Sequence, residues 1–114
     1  MNREGGSHKL RSSPRVSFIR SVRIKTGPEH SFLEYAAKDI STGGLRISSF
    51  DFFPINKWLD LQFKLSDADS ILEVRGRVAW VHFDPVTHTY QTGIDFSSAS
   101  AYKRGVIRGF IQSQ

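Results

Sequence analysis

Cysteine is absent from this sequence, which excludes disulfide bridges, thiolate metal sites and cysteine nucleophiles. No apolar run approaches the roughly 18 residues that a membrane span needs, and residues 1–15 lack the apolar stretch of a signal peptide. The four histidines occur singly, without the spacing of metal ligands on one element. No nucleophile elbow, glycine-rich phosphate loop or zinc-protease signature is present. We therefore expect a cytoplasmic protein that is not an enzyme and that has no metal, cofactor or membrane span.

Positive charge is unevenly distributed along the chain. Its 114 residues, of which 39% are hydrophobic, suffice for one domain with a single core. The net charge of +5 predicts an anionic partner: a nucleotide, a nucleic acid, an acidic protein or a membrane surface. Seven of the 16 basic residues lie within the first 25 residues, where Glu4 is the single acid. Charge alone does not choose among these partners.

The hydrophobic pattern predicts short strands followed by one helix. Residues 1–15 are polar and without a hydrophobic period, which is typical of a flexible arm. Apolar and polar residues then alternate in six segments, which we predict as strands at 16–25, 31–40, 45–47, 59–65, 72–80 and 90–96. After Ser97 the pattern becomes helical. We therefore predict an all-β fold, in which residues 16–114 form a six-stranded antiparallel β-barrel with a C-terminal α-helix, preceded by the flexible N-terminal arm.

Several details of this pattern give specific expectations. In the fifth strand Val78 and Trp80 share the apolar face, and Gly76 is expected to mark a bend or bulge. The helix should bury one stripe of side chains against the barrel or against a second copy in a homodimer. The stripe consists of Tyr102, Val106, Ile107, Phe110 and Ile111. Gly105 and Gly109, four residues apart, indicate a close approach of this helix to another surface.

Two short motifs are candidates for a binding site. Arg11 and Arg15 form an R-x-x-x-R spacing directly before the first strand. The turn after the second strand has the pattern D-x-S-x-x-G, formed by Asp39, Ser41 and Gly44. The arginine spacing is common by chance, since two arginines of the helix repeat it, whereas the second pattern is rare. Taken separately, the motifs would be interpreted as a disordered basic tail and a plain turn.

Together, and in this order, the two motifs resemble those of the PilZ family. The likeness extends to the segments GLRI after the turn, GRVAWV late in the chain and GIDF before the helix, and it covers about residues 9–110. The resemblance implies a six-stranded barrel that binds cyclic diguanylate (c-di-GMP). It implies as ligand-binding residues Arg11, Arg15, Asp39, Ser41 and Gly44, and as further candidates Lys9, Leu10, Arg46 and Gly93. Leu10 occupies the position that bears on whether one ligand or an intercalated pair binds, and we leave the stoichiometry open.

The residue types suit this ligand, which carries two phosphates and two guanines. An arginine offers a fork of donors to phosphate, a flat surface for stacking, and donors to guanine O6 and N7. Asp39 can accept hydrogen bonds from guanine N1 and N2, Ser41 contributes a hydroxyl, and Gly44 lets the backbone come close. Both glycines of the turn are able to adopt positive φ. Lys9 and Arg46 could add charge, although we favour a solvated role for each.

Two other functions remain open. A basic barrel with surface aromatics, among them Phe52, Phe53 and Trp58, could bind single-stranded nucleic acid by stacking. A PilZ-like module could instead ignore the nucleotide and dock a protein through Phe50, Phe52 and Phe53. The two intact motifs favour the c-di-GMP receptor. We expect its arm to be mobile without the ligand and to fold over the barrel face with it, which presents a new surface to a protein effector of unknown identity.

Overall fold

The computed structural model describes residues 14–114, which form seven strands and one helix. The strands are β1 (Val16–Ser17), β2 (Ser21–Lys25), β3 (Leu33–Ser41), β4 (Gly44–Ser49), β5 (Trp58–Phe63), β6 (Leu72–Asp84) and β7 (Thr89–Asp95), and the helix is α1 (Ala101–Gln112). Most of the predicted arm, including Lys9, Leu10 and Arg11, lies outside the described residues. Its mobility therefore stays a prediction.

Antiparallel pairing closes six of the strands into a barrel. The hydrogen-bonded order is β3-β2-β5-β6-β7-β4, and β4 pairs back with β3 to complete the ring. Along each strand, alternate side chains point inward and form the core. The predicted all-β, six-stranded antiparallel barrel with a C-terminal helix is thus confirmed, and β1 is an additional short strand that also pairs with β3.

The predicted first strand, at 16–25, is divided into β1 and β2. Both pair with β3, but Ser17 lies opposite Asp39 whereas Ser21 lies opposite Ala36. The chain advances four residues from Ser17 to Ser21, while β3 advances three residues from Asp39 to Ala36. The segment that joins β1 and β2 therefore contains one residue more than the opposite stretch of β3. A regular alternation of apolar residues does not reveal such an insertion, because the insertion is defined by the partner strand.

Aromatic rings link the barrel interior to helix α1. The ring centroid of Phe63 lies 5.9 Å from that of Phe18 and 6.2 Å from that of Phe96. Phe18 in turn packs edge-to-face on Phe110 of α1, with the centroids 5.8 Å apart. Such pairs add about 0.5–1.5 kcal/mol to the free energy gained by burial of their area. The helix therefore packs on the barrel core, which is one of the two predicted alternatives.

Helix α1 buries a narrower stripe than predicted. Ile107 and Ile111 are buried, but Tyr102, the first residue of the stripe, is 78% exposed. A Cβ atom at Gly105 or Gly109 would meet nothing within 4 Å, so within residues 14–114 these glycines do not approach the barrel closely. Their approach to a second copy stays a prediction. The barrel surface is convex, so a short helix contacts it through one row of side chains only. The described part of the chain contains no helix with the length and apolar character needed to cross a membrane.

A β-bulge in β6 reverses the expected orientation of Trp80. Val78 pairs with Ile94 and Trp80 with Gly93, so β6 advances two residues while β7 advances one. Val78 stays in the core, but the extra residue turns Trp80 to the outer face, where it is 42% exposed. The prediction that both share the apolar face is wrong. Gly76 is needed for close packing, since a Cβ there would lie 2.6 Å from Ile94 Cγ2.

The connection between β4 and β5 contains one core aromatic. Phe53 is buried and packs edge-to-face on Tyr35, with the ring centroids 5.3 Å apart, so its prediction as a surface aromatic is wrong. The Tyr35 hydroxyl donates a hydrogen bond to Asp51 at 2.6 Å. Burial, together with this carboxylate, raises the pKa of Tyr35 to about 12. Phe50 and Phe52 are exposed, as the protein-docking alternative requires.

Two leucines provide a matched test of the core. Leu45 of β4 is fully buried, whereas Leu33 of β3 is 57% exposed. We expect Leu45→Ala to lower the free energy of unfolding by about 2–5 kcal/mol, because it leaves a cavity in a packed interior. Leu33→Ala should lower it by less than about 1 kcal/mol. Urea unfolding followed by circular dichroism measures both, and equal effects would contradict the assignment of core and surface.

Candidate functional site

The D-x-S-x-x-G motif lies on the hairpin between β3 and β4. Asp39 and Ser41 belong to β3 and Gly44 begins β4, so the turn consists of Thr42 and Gly43 alone and is shorter than predicted. The Ser41 hydroxyl accepts a hydrogen bond from the Gly43 amide at 3.2 Å. No glycine within residues 14–114 has a positive φ, so the turn does not use the left-handed conformation that its glycines permit.

Gly44 is required by the contact between β4 and β7. It lies opposite Asp95 in the ladder, and a Cβ added to it would collide with the carbonyl oxygen of Ile94. Any side chain at this position would push the two strands apart. We expected Gly44 to let the backbone approach a ligand, whereas the structure gives it a role in closing the barrel wall.

A β-bulge aims Asp39 at the outer surface. Ala37 pairs with Ile47 and Asp39 with Arg46, so Lys38 is the extra residue of β3. Bulges of this kind redirect a neighbouring side chain. The carboxylate of Asp39 is thereby placed outside the barrel, where neighbouring strands can present cations to it.

Two arginines share the Asp39 carboxylate. Arg15 Nε donates to Oδ1 and Arg46 Nε donates to Oδ2, both at 2.7 Å. Arg15 also donates from Nη1 to the Ser41 hydroxyl at 3.2 Å. The structure thus brings together three of the predicted residues, Arg15, Asp39 and Ser41. The other arginine of the first motif, Arg11, lies outside the described residues.

Arg46 is tied to the barrel, and our expectation of a solvated role is wrong. Besides Asp39 it contacts Gln91 of β7, whose Oε1 accepts a hydrogen bond from Arg46 Nη1 at 2.7 Å. Gln91 Nε2 donates in turn to Ser48 Oγ at 2.9 Å. Gln91 was not among the residues predicted from the sequence. Residues two apart on a strand share a face, so the position of Gln91 two residues before the candidate Gly93 could have indicated that it lies on the same face as the site.

The site continues across the outer face of the barrel to Trp80. Directly opposite residues of neighbouring strands share a face, and the ladders place Arg46 opposite Gly93 and Gly93 opposite Trp80. The indole lies over Gly93, since a Cβ there would collide with Trp80 Nε1. The structure therefore adds Trp80 to the site, and Gly93, a predicted candidate, provides the space for its ring.

The site combines two cations, one carboxylate and a flat aromatic surface. The side chains of Arg15 and Arg46 are 45% and 36% exposed, so both remain accessible beside Asp39. Guanidinium groups bind phosphate in a fork, a carboxylate accepts from N–H donors, and an indole offers a stacking face. Within residues 14–114 no group of three His, Cys, Asp or Glu residues is placed to hold a metal ion. The arrangement suits an anionic ligand that contains aromatic rings.

Comparison with protein families gives a match to the PilZ domain over residues 9–113. The chain belongs to the PilZ domain family. The match spans both sequence motifs, including Arg11, and confirms the resemblance inferred from them. No curated protein sequence matches this PilZ domain significantly.

Several solved structures share the fold at low sequence identity. The inhibitor of motility MotI/DgrA of Bacillus subtilis has a TM-score of 0.75 at 18% identity, over 100% of this chain and 52% of that one. The PilZ domain of YcgR from Escherichia coli, solved with c-di-GMP, has a TM-score of 0.69 at 14% identity, over 90% and 89%. The MrkH–c-di-GMP complex of K. pneumonia has a TM-score of 0.69 at 16% identity, over 90% and 51%. This chain spans about half the length of MotI/DgrA and MrkH.

The adjacent glycines of the hairpin give a matched test of the strand contact. Gly44→Ala should lower the free energy of unfolding by about 1–3 kcal/mol, because its Cβ would collide with the backbone of β7. In Gly43→Ala the nearest atom to the Cβ would be Ser41 Oγ at 3.9 Å, so we expect a change below about 0.5 kcal/mol. Thermal unfolding measures both. A loss as large for Gly43→Ala as for Gly44→Ala would contradict the proposed contact.

Proposed function

We propose that this PilZ domain is a receptor for c-di-GMP that passes the signal to a protein effector. The observation that carries the proposal is the contact of Arg15 with both Asp39 and Ser41, which joins the two motifs on the outer face of the barrel. YcgR, MrkH and the Borreliella burgdorferi protein PlzA have been solved with c-di-GMP. Their shared fold and the membership of this chain in the family support the same ligand.

Each residue of the site has a defined role toward the dinucleotide in this proposal. Arg11 and Arg15 bind phosphate oxygens or the O6 and N7 edge of guanine. Asp39 accepts hydrogen bonds from guanine N1 and N2, and Ser41 orients Arg15. Stacking of a base on Trp80 would add about 1–3 kcal/mol. These contacts together can supply the roughly −8 kcal/mol that a micromolar ligand requires.

The arm, residues 1–15, is proposed as the moving part. Arg15 stands where the arm meets β1 and already contacts Asp39, so a shift of Arg15 onto the ligand would draw in Arg11 and its neighbours. Ordering the arm costs conformational entropy, which charge-assisted hydrogen bonds must exceed. The ordered arm would then present a surface to the effector. A cytoplasmic location and a homodimer stay predictions from the sequence.

The alternative functions have weaker support. Phe53 lies in the core, and the guanidinium group of Arg75 lies 5.2 Å from the centre of the Trp58 ring. Both features reduce the surface on which nucleic-acid bases could stack. Phe50 and Phe52 are exposed and could serve a protein partner with or without the nucleotide.

Titration calorimetry with c-di-GMP tests the proposal. We expect the wild type to bind with a Kd on the order of micromolar. Arg15→Ala and Asp39→Ala should each weaken binding by about ten- to hundredfold, because each removes a charge-assisted contact. Arg108→Ala is the matched control, since Arg104 and Arg108 repeat the R-x-x-x-R spacing on α1. This variant should keep the wild-type affinity.

Three outcomes would contradict the proposal in different ways. Absence of binding by the wild type up to high micromolar c-di-GMP would refute the ligand. Retained affinity in both site variants would place the site elsewhere on the domain. Binding of single-stranded DNA that falls steeply with salt, without binding of c-di-GMP, would favour the nucleic-acid alternative.

A further inference from the structure

The Asp39 carboxylate lies between two arginines that are held very differently. Arg15 and Arg46 each donate from Nε to one of its oxygens at 2.7 Å. A guanine would present its N1 and N2 donors to the same carboxylate. The two oxygens offer about four acceptor positions, of which the arginines use two, so the number of acceptors alone forces neither arginine to leave. The arginine that is held less firmly is the one that a ligand can draw away.

Arg46 is anchored beyond Asp39. Its Nη1 donates to Gln91 at 2.7 Å, and Gln91 Nε2 donates to Ser48 at 2.9 Å and to Thr89 at 3.3 Å. Ser48 lies directly opposite Gln91 in the β4–β7 ladder, and its hydroxyl also donates to Thr89 at 3.3 Å. The whole anchor is therefore part of two paired strands of the barrel wall.

Among the described residues, 14–114, Arg15 has no anchor of this kind. Its second contact there is the hydrogen bond from Nη1 to Ser41 at 3.2 Å. It stands directly before β1, a strand of only two residues, and its side chain is the more exposed of the two arginines. Arg15 can therefore leave Asp39 at a smaller cost than Arg46 can.

We propose that Gln91 is a positioning residue that holds Arg46 on Asp39, so that Arg15 is the arginine that exchanges from the carboxylate to the ligand. This inference rests on the proposed binding of c-di-GMP at the same site. Arg46 then keeps Asp39 oriented toward the guanine edge, while the released Arg15 binds phosphate or base. Gln91 lies outside both sequence motifs.

Side-chain NMR tests the anchor before any c-di-GMP is added. In the wild type the Nε proton of Arg46 should exchange with water about three- to tenfold more slowly than that of Arg15, because exchange requires the hydrogen bond to open. Gln91→Met keeps the side-chain size but removes the acceptor, and should bring Arg46 close to the rate of Arg15. Gln91→Glu keeps an acceptor in place and should preserve the slow exchange.

Gln62→Met is the control for loss of a surface glutamine. Gln62 also lies on a barrel strand and donates to Glu73 at 2.8 Å, away from either arginine. It should leave both exchange rates unchanged. A purely structural role of Gln91 would lower the Tm of Gln91→Met without changing the ratio of the two rates. An unchanged Arg46 rate in Gln91→Met, or equal rates in the wild type, would overturn the anchor.

Titration with c-di-GMP then identifies the arginine that exchanges. The Nε signal of Arg15 should shift on binding while that of Arg46 stays in place, and Gln91→Met should weaken binding by about three- to tenfold. The opposite pattern of shifts would overturn the inference. Failure of the wild type to bind would refute the proposed function and the exchange of Arg15, whereas slow exchange of Arg46 would still support the anchor by Gln91.

Discussion

Closure of the barrel depends on the pairing of β3 with β4 across a turn of two residues. In this ladder Ile40 lies opposite Leu45, and both side chains are completely buried. Their burial sets the register, because a slip by one residue would turn every side chain of the strand to the other face. With that register and the bulge at Lys38, Asp39 is outside the barrel. The position of the carboxylate is therefore a consequence of core packing.

The carboxylate in turn organises the charge around it. Arg15 and Arg46 would repel each other at such short range, and Asp39 between them offsets this repulsion. Ion pairs that are partly exposed, as these are, contribute little to stability. Their effect is to hold two guanidinium groups in place, and donors that are already positioned lose less conformational freedom when they form a contact. The barrel thus holds a small cationic surface in a fixed arrangement on its outer face.

The six-stranded barrel and the helix could be predicted because alternation with a period of two, and its change to a helical stripe, are local properties of the chain. The outward turn of Trp80 and the break before Ser21 could not. Each depends on an extra residue relative to a partner strand, and the partner's register is invisible in the pattern of one strand. The surface that the glycines of α1 face could not be predicted either. Their spacing indicated a contact, but the helix turns them away from the barrel.

By itself, the order of residues determined the all-β class, the two motifs and the family, because each of these depends on short-range spacing. Tertiary structure alone decided which side chains meet. Arg46 and Gln91 are 45 positions apart, and Arg15 and Asp39 are 24 apart, yet each pair is in contact. These contacts exist because barrel closure brings distant strands side by side in a single register, a condition that no local segment contains.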